Sequence, residues 1–362
     1  MDRAIAMGST LGALDSVVAT GARLLCETSV AAVLAIFLDS GSALAAVQYA
    51  APQPLMAGSQ APMPTPRTDA AAARATKHAL RIAFLPPAST LNFYRPVGEG
   101  LRAVAKSAGA IVTELAPQDG TDTYAQAGMI QDAISRGVDA IIITTHDEHA
   151  AAPVLKRAVD TGIVVVIANS DIRSFPTPIH AVVGYSQRQA MQSLGQYVTR
   201  LAARRPLSVG LIEGLPGYHN TERMEGFLSG IDQSKVKVIG RLSGSWTTEG
   251  GNTASLDILQ SKPGINALVA ANDDMAIGAS LAAKSLGKQL VTTGADGQKS
   301  ALDAIASHEL TATVDVAPYR MGEIAAQVAL DALAGQFKGG WVETTTTVRD
   351  ASNVREALVA AQ

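Results

Sequence analysis

The feature that most constrains this chain is a rhythm. From residue 80 onward, short apolar runs alternate with segments of helical periodicity. Residues 80–85 read as a strand ended by Pro86-Pro87, residues 97–108 place Leu101, Val104 and Ala105 at helical spacing, and residues 110–115 read as a second strand. A helix over 124–136, a strand over 138–143, a helix over 151–161 and a strand over 164–168 continue the series. The last two strands are almost continuously apolar, as strands covered on both faces are. Such a βαβαβαβ order demands a parallel, doubly wound sheet of the α/β class.

The same architecture then repeats. Helices are predicted over 188–201, 220–229, 251–260 and 275–286, interleaved with strands over 208–213, 235–241, 267–270 and 290–293. A strand over 311–315 and a helix over 319–333 follow, the helix apolar enough to pack on the first sheet. The chain is therefore expected to cross between two sheet domains at Val183-Gly184-Tyr185 and to cross back near residue 317. A length of 362 residues suits two domains.

The N-terminus reads as an address. Arg23 precedes an apolar run over 30–38, and Ser42-Ala43-Leu44-Ala45-Ala46 offers a signal-peptidase site after Ala45. The run falls short of the roughly 20 residues that span a bilayer. Residues 1–45 are thus expected to be a cleaved export signal, with an unusually long n-region that suggests an upstream start codon. Cleavage would remove Cys26, the one cysteine, and leave no thiol, disulfide or cysteine metal ligand. Residues 46–78, rich in Ala and Pro, cannot bury enough apolar surface to fold and are expected to form a disordered tether. A net charge of −3 gives no basic footprint for nucleic acid.

Chemistry concentrates where strands end. Asn272 follows the apolar run at 267–269, and Asp296 follows the one at 290–293. In an open parallel sheet these ends hold ligands. An amide that donates and accepts beside an acceptor carboxylate suits a neutral polyhydroxyl ligand more than a phosphate. Asn272 and Asp274 would also serve as helix caps, and Asp296 as a turn residue before Gly297. Trp246 lies in the polar stretch Ser243-Gly244-Ser245-Trp246-Thr247-Thr248, where a stacking ring is expected rather than a core filler. His146-Asp147-Glu148-His149 shows no third metal ligand, and its acids suit a helix N-terminus, so no metal is expected, although His146 can reach a ligand from its strand end. Gly98-Glu99-Gly100-Leu101-Arg102-Ala103 falls inside a predicted helix and lacks the strand-turn-helix geometry of a dinucleotide site. Gly226-Phe227-Leu228-Ser229-Gly230 has the wrong spacing for a nucleophile elbow. No catalytic constellation and no cofactor is expected.

Segments 82–109, 137–170, 214–230 and above all 270–321 resemble the type I periplasmic binding proteins of ribose and galactose type, whose fold also forms the effector domain of lac-repressor-like regulators. That resemblance covers roughly residues 80–345. It implies two doubly wound, Rossmann-like parallel-sheet lobes joined by hinge strands, with a ligand cleft between them. The expected lobes are residues 79–184 plus about 317–341, and residues 185–316 plus about 342–362. Carried over by position, the ligand shell holds Asn92, Phe93, Tyr94, Asn169, Trp246, Asn272 and Asp296, and His146 and Asn220 complete the expected set. Asn169 and Ser170 stand where an aspartate and an arginine are usual, Val316 where a glutamine is, and no arginine occupies the recognition position near Asn220. Arg223 is expected to pair with its neighbour Glu222, outside that shell.

The function implied is non-enzymatic: an exported, periplasmic monomer that closes on a small, sugar-like ligand and presents it to an ABC permease. A membrane histidine kinase or chemoreceptor is the alternative partner. A regulator would need a DNA-binding headpiece before Leu80, and residues 1–78 carry very few basic side chains.

Overall fold

A computed structural model describes residues 78–360. The expected export signal, Cys26 and all of the expected tether except His78 lie outside the described residues.

Two six-stranded sheets are built from the alternating pattern. The first has the order β11-β5-β4-β3-β1-β2, from β1 (Arg81–Leu85), β2 (Ile111–Glu114), β3 (Ala140–Ile143), β4 (Val164–Ala168), β5 (Ala181–Gly184) and β11 (Gly340–Glu343), all parallel. The second has the order β12-β10-β9-β8-β6-β7, from β6 (Leu207–Glu213), β7 (Val236–Ser243), β8 (Ala267–Ala270), β9 (Val291–Asp296), β10 (Ala312–Asp315) and β12 (Thr347–Asp350). Only the pairing of β12 with β10 is antiparallel among these strands.

The apolar runs of β1, β3 and β4 resolve into two interleaved sets. Ile82, Phe84, Ile142, Val164 and Val166 pack into one cluster, while Ala83, Leu85, Ile141, Ile143, Val165 and Ile167 pack into another. Successive side chains point to opposite faces, so a strand with both faces covered must be apolar at every position. One face carries α1 (Tyr94–Ser107) against α9 (Pro318–Leu333); the other carries α2 (Thr123–Ser135) and α3 (Glu148–Asp160). The α1–α9 crossing is close because both contacts are glycines. A Cβ on Gly100 would lie 2.0 Å from the Tyr319 carbonyl oxygen, and one on Gly322 would lie 1.9 Å from that of Val97. The second sheet is flanked by α4 (Gln187–Leu201), α5 (Tyr218–Gly230), α6 (Thr248–Ser261), α7 (Asp273–Ser285), α8 (Lys299–Ala306) and α10 (Val354–Ala360).

Three departures from the sequence reading are instructive. The stretch near Val183, expected only as a crossing, is strand β5, hydrogen-bonded between β4 and β11 before the chain leaves for the second sheet. Helix α8 was not expected, nor were β11, β12 and α10, which are four to seven residues long and too short for periodicity to declare them. Helix α5 starts at Tyr218, two residues earlier than the pattern suggests, after Gly217 turns the chain at φ +145°.

Candidate functional site

A cavity is lined by Leu91, Phe93, Tyr94, His146, Asn169, His219, Arg223, Trp246, Asn272, Asp274 and Asp296. Each comes from the carboxyl end of a parallel strand or the loop or helix that follows it. The loop after β1 and the start of α1 supply Leu91, Phe93 and Tyr94, the end of β3 gives His146, and the end of β4 gives Asn169. From the second sheet come His219 and Arg223 on α5, Trp246 after β7, Asn272 and Asp274 after β8, and Asp296 as the last residue of β9. Such ends are where an open α/β sheet leaves a crevice.

Phe93 and Tyr94 meet edge to face with ring centres 5.0 Å apart and form one apolar wall. Trp246 forms another. It is buried and held at φ +68°, and the indole rests so close to Gly214 that a Cβ there would lie 2.1 Å from the ring. Asn169 and Asp296 also sit at positive φ, +56° and +138°. Three lining residues in sparsely populated conformations mark a site whose shape the surroundings enforce.

Asn272 holds Trp246 in place. Its Oδ1 accepts from the Met275 amide at 2.9 Å, capping α7, and its Nδ2 donates to the Trp246 carbonyl at 3.0 Å. The capping role and the cavity position belong to the same side chain. Asp274 accepts from Asn92 Nδ2 at 3.0 Å and from Gln298 Nε2 at 3.2 Å.

The floor of the cavity is a buried ion pair. Arg223 donates through Nε to Gln187 Oε1 at 2.7 Å, through Nη1 to the Ala271 carbonyl at 2.7 Å and to Asp296 Oδ1 at 2.9 Å, and through Nη2 to the Tyr185 hydroxyl at 2.5 Å. Burial pushes the Asp296 carboxyl up to about 6, against the opposing pull of the Arg223 charge. It is ionised at neutral pH. Burial, reinforced by the charge on Asp296, also pushes Asp273 well above the ordinary carboxylate range. Asp273 does not line the cavity; it accepts from Thr313 Oγ1 at 2.5 Å and from the Gln298 amide at 2.9 Å. The Tyr94 hydroxyl is raised by burial to about 12 and accepts from Asn169 Nδ2 at 3.2 Å. Burial lowers both histidines, His219 to about 3, so their imidazoles are neutral.

Seven of the nine expected ligand residues meet at this cavity: Phe93, Tyr94, His146, Asn169, Trp246, Asn272 and Asp296. Two are engaged elsewhere. Asn92 spends its amide on Asp274, and Asn220 Oδ1 accepts from the Gly214 amide at 2.8 Å. Arg223 does not pair with Glu222, which binds Arg188 through two bonds of 2.8 Å on the outer side of α5. Arg223, His219, Asp274 and Leu91 were missed. The signal for two of them was available: His219 and Arg223 are four apart and share one face of α5. Among the described residues no group of three His, Cys, Asp or Glu side chains could hold a metal ion, and no helix is long and apolar enough to cross a membrane. Asp147 caps α3 through the Ala150 amide at 2.9 Å.

Residues 82–337 match the model of the periplasmic binding protein domain. The chain is 33% identical over 282 residues to the D-ribose/D-allose-binding protein of Pseudomonas aeruginosa, covering 73% of this chain and 86% of that one. It is 31% identical to the ribose import binding protein of Bacillus subtilis, over 68% of this chain and 80% of the relative. An ABC transporter solute-binding protein of Actinobacillus succinogenes, solved with D-allose, superposes with a TM-score of 0.72 at 24% identity, over 76% of this chain and 99% of that one. A Caulobacter protein solved with myo-inositol superposes with a TM-score of 0.72 at 21% identity, over 79% of this chain and 98% of that one. The chain belongs to the periplasmic binding proteins, as a type I member of the ribose-binding type, and is a binding protein rather than an enzyme.

Proposed function

We propose that this protein captures a neutral sugar or polyol in the cavity between its two sheets and delivers it to an ABC permease. The observation that carries this reading is the makeup of the cavity: aromatic walls from Phe93, Tyr94 and Trp246 around a set of fixed hydrogen-bonding groups. Apolar ring faces suit the C–H faces of a sugar, and the polar groups suit its hydroxyls. Asn169 Oδ1 is buried with no partner among the described residues, and such an atom is costly unless a ligand satisfies it. The names of the relatives, which bind ribose, allose or apiose, point the same way.

In this reading the lobes are residues 79–184 with about 317–341 and residues 185–316 with about 342–362, and closure brings the loop after β1 onto α7. The Asn92–Asp274 hydrogen bond is the contact that closure makes. The chain acts as a monomer outside the cytoplasmic membrane, after removal of residues 1–45.

The test is thermal melting with D-ribose, D-allose, D-apiose and myo-inositol. Stabilisation follows RT ln(1 + [L]/Kd), about 4 kcal/mol at 1,000 Kd. At least one of the four is expected to raise the melting temperature. No shift with any of them refutes the sugar reading.

A further inference from the structure

Two cavity residues carry information about the ligand that the fold does not supply. His146 and His219 approach each other from opposite lobes, with ring centres 6.4 Å apart. Each has one ring nitrogen committed to a backbone carbonyl. His146 Nδ1 lies 3.0 Å from the Gly120 oxygen, and His219 Nε2 lies 2.9 Å from the Asn169 oxygen. A carbonyl only accepts, so these nitrogens carry the hydrogens. The lone pairs are therefore on His146 Nε2 and His219 Nδ1, neither of which has a partner among the described residues or is a buried, unsatisfied atom.

The surroundings reinforce this polarity. Asn169, which also lines the cavity, adds a third unpartnered acceptor through Oδ1. The one cation at the cavity, Arg223, directs four of its hydrogen bonds to Gln187, Ala271, Asp296 and Tyr185. Two carboxylates, Asp274 and Asp296, line the cavity, and the guanidinium pairs with Asp296 at 2.9 Å. This end of the cavity asks for hydrogen-bond donors and opposes negative charge.

We propose that His146 and His219 form an acceptor pair that sets the ligand class: an uncharged polyol that donates one hydroxyl to each lobe, to the exclusion of the corresponding sugar acids and sugar phosphates. The proposal rests on the sugar-binding reading and goes beyond it by assigning the discrimination to two residues. A ligand held by both imidazoles also ties the lobes together.

The experiment is calorimetric titration of the full chain with D-ribose, D-allose and myo-inositol, beside D-ribonate, D-ribose 5-phosphate and the mono-deoxyfluoro analogues of whichever neutral compound binds. Fluorine keeps the size of a hydroxyl and cannot donate. Two variants remove one acceptor each and keep its partner bond: His146→Asn, whose amide nitrogen replaces Nδ1 toward Gly120, and His219→Gln, whose amide nitrogen replaces Nε2 toward Asn169. The wild type is expected to bind the neutral compound and to bind ribonate and ribose 5-phosphate at least about 100-fold more weakly. Two of the deoxyfluoro analogues are expected to lose roughly 10- to 100-fold, and each histidine variant is expected to lose a similar factor and to become insensitive to one of those two replacements. If the anions bind as tightly as the neutral compound, or if both variants keep wild-type affinity, the proposal is overturned while the sugar reading stands. If no neutral compound binds the wild type, the sugar reading falls and takes this proposal with it. The wild-type arm needs no variant to fold.

Discussion

Replacing Arg223 by Met removes the centre of the cavity floor, and the structure sets the size of the effect. The Arg223 and Asp296 side chains are each only 4% exposed, and the guanidinium also serves Gln187, the Ala271 carbonyl and Tyr185. Breaking a buried pair by removing one partner costs about 3–5 kcal/mol, because the remaining charge stays buried without compensation. Arg223→Met is therefore expected to lower unfolding stability by that amount at pH 7. Asp296→Asn in the same background removes the stranded charge, so the double variant should be more stable than the sum of the two singles by at least about 1.5 kcal/mol. Acid should help the single variant as well. Without Arg223 the Asp296 carboxyl, already raised to about 6 by burial, rises further above its unfolded value. A group with a raised folded pKa contributes stability present at low pH and lost as pH rises through that value, so the deficit of Arg223→Met should shrink between pH 7 and pH 5. The assay is urea unfolding followed by circular dichroism, comparing midpoints at unchanged slope. Additivity of the two substitutions within about 0.5 kcal/mol, or a deficit that grows as pH falls, would show that Asp296 does not depend on Arg223 for its charge.

Two further substitutions probe the Trp246 wall. A Cβ at Gly214 would lie 2.1 Å from the indole, so Gly214→Ala should displace the ring and weaken sugar binding by about tenfold or more; Trp246→Phe in that background should recover part of the loss, and calorimetry decides. Asn272→Ala removes both a helix cap and the anchor of the Trp246 carbonyl, so stability should drop by about 1 kcal/mol and affinity should fall with it. Unchanged melting in that variant contradicts the capping bond, and unchanged affinity contradicts the anchoring one.

Much of the site was legible because it hangs on strand ends. β4 and β8 span the residues that apolar runs alone suggest, and Asn169 and Asn272 follow within two positions. Trp246 stood out as one of two tryptophans, in a polar stretch. Two of the differences between the expected shell and the cavity lining lie in α5. A helix turns about 100° per residue, so His219 lines the cavity while its neighbour Asn220 accepts from the Gly214 amide. The same rotation separates Glu222 from Arg223: adjacency in sequence places neighbours on different faces, one toward Arg188 and one toward Asp296. Asn92 stands outside the lining for a different reason. It lies at the right loop, but Asp274, contributed by the other sheet, competes for its amide, and no local pattern reports a partner 182 residues away. The short edge strands β11 and β12 are exposed enough on one side that their composition carries little apolar signal.

The crossed wiring of the two sheets also dictates when each lobe can be finished. The first sheet takes its edge strand from residues 340–343 and a covering helix from Pro318–Leu333, while the second takes its last strand from residues 347–350. During synthesis neither core closes until nearly the whole chain has left the ribosome, since pairings between distant segments cannot form earlier. At roughly 5–20 residues per second, about a quarter to one minute passes between the emergence of β1 and that of β12. The interval before either lobe can compact therefore follows from the topology alone.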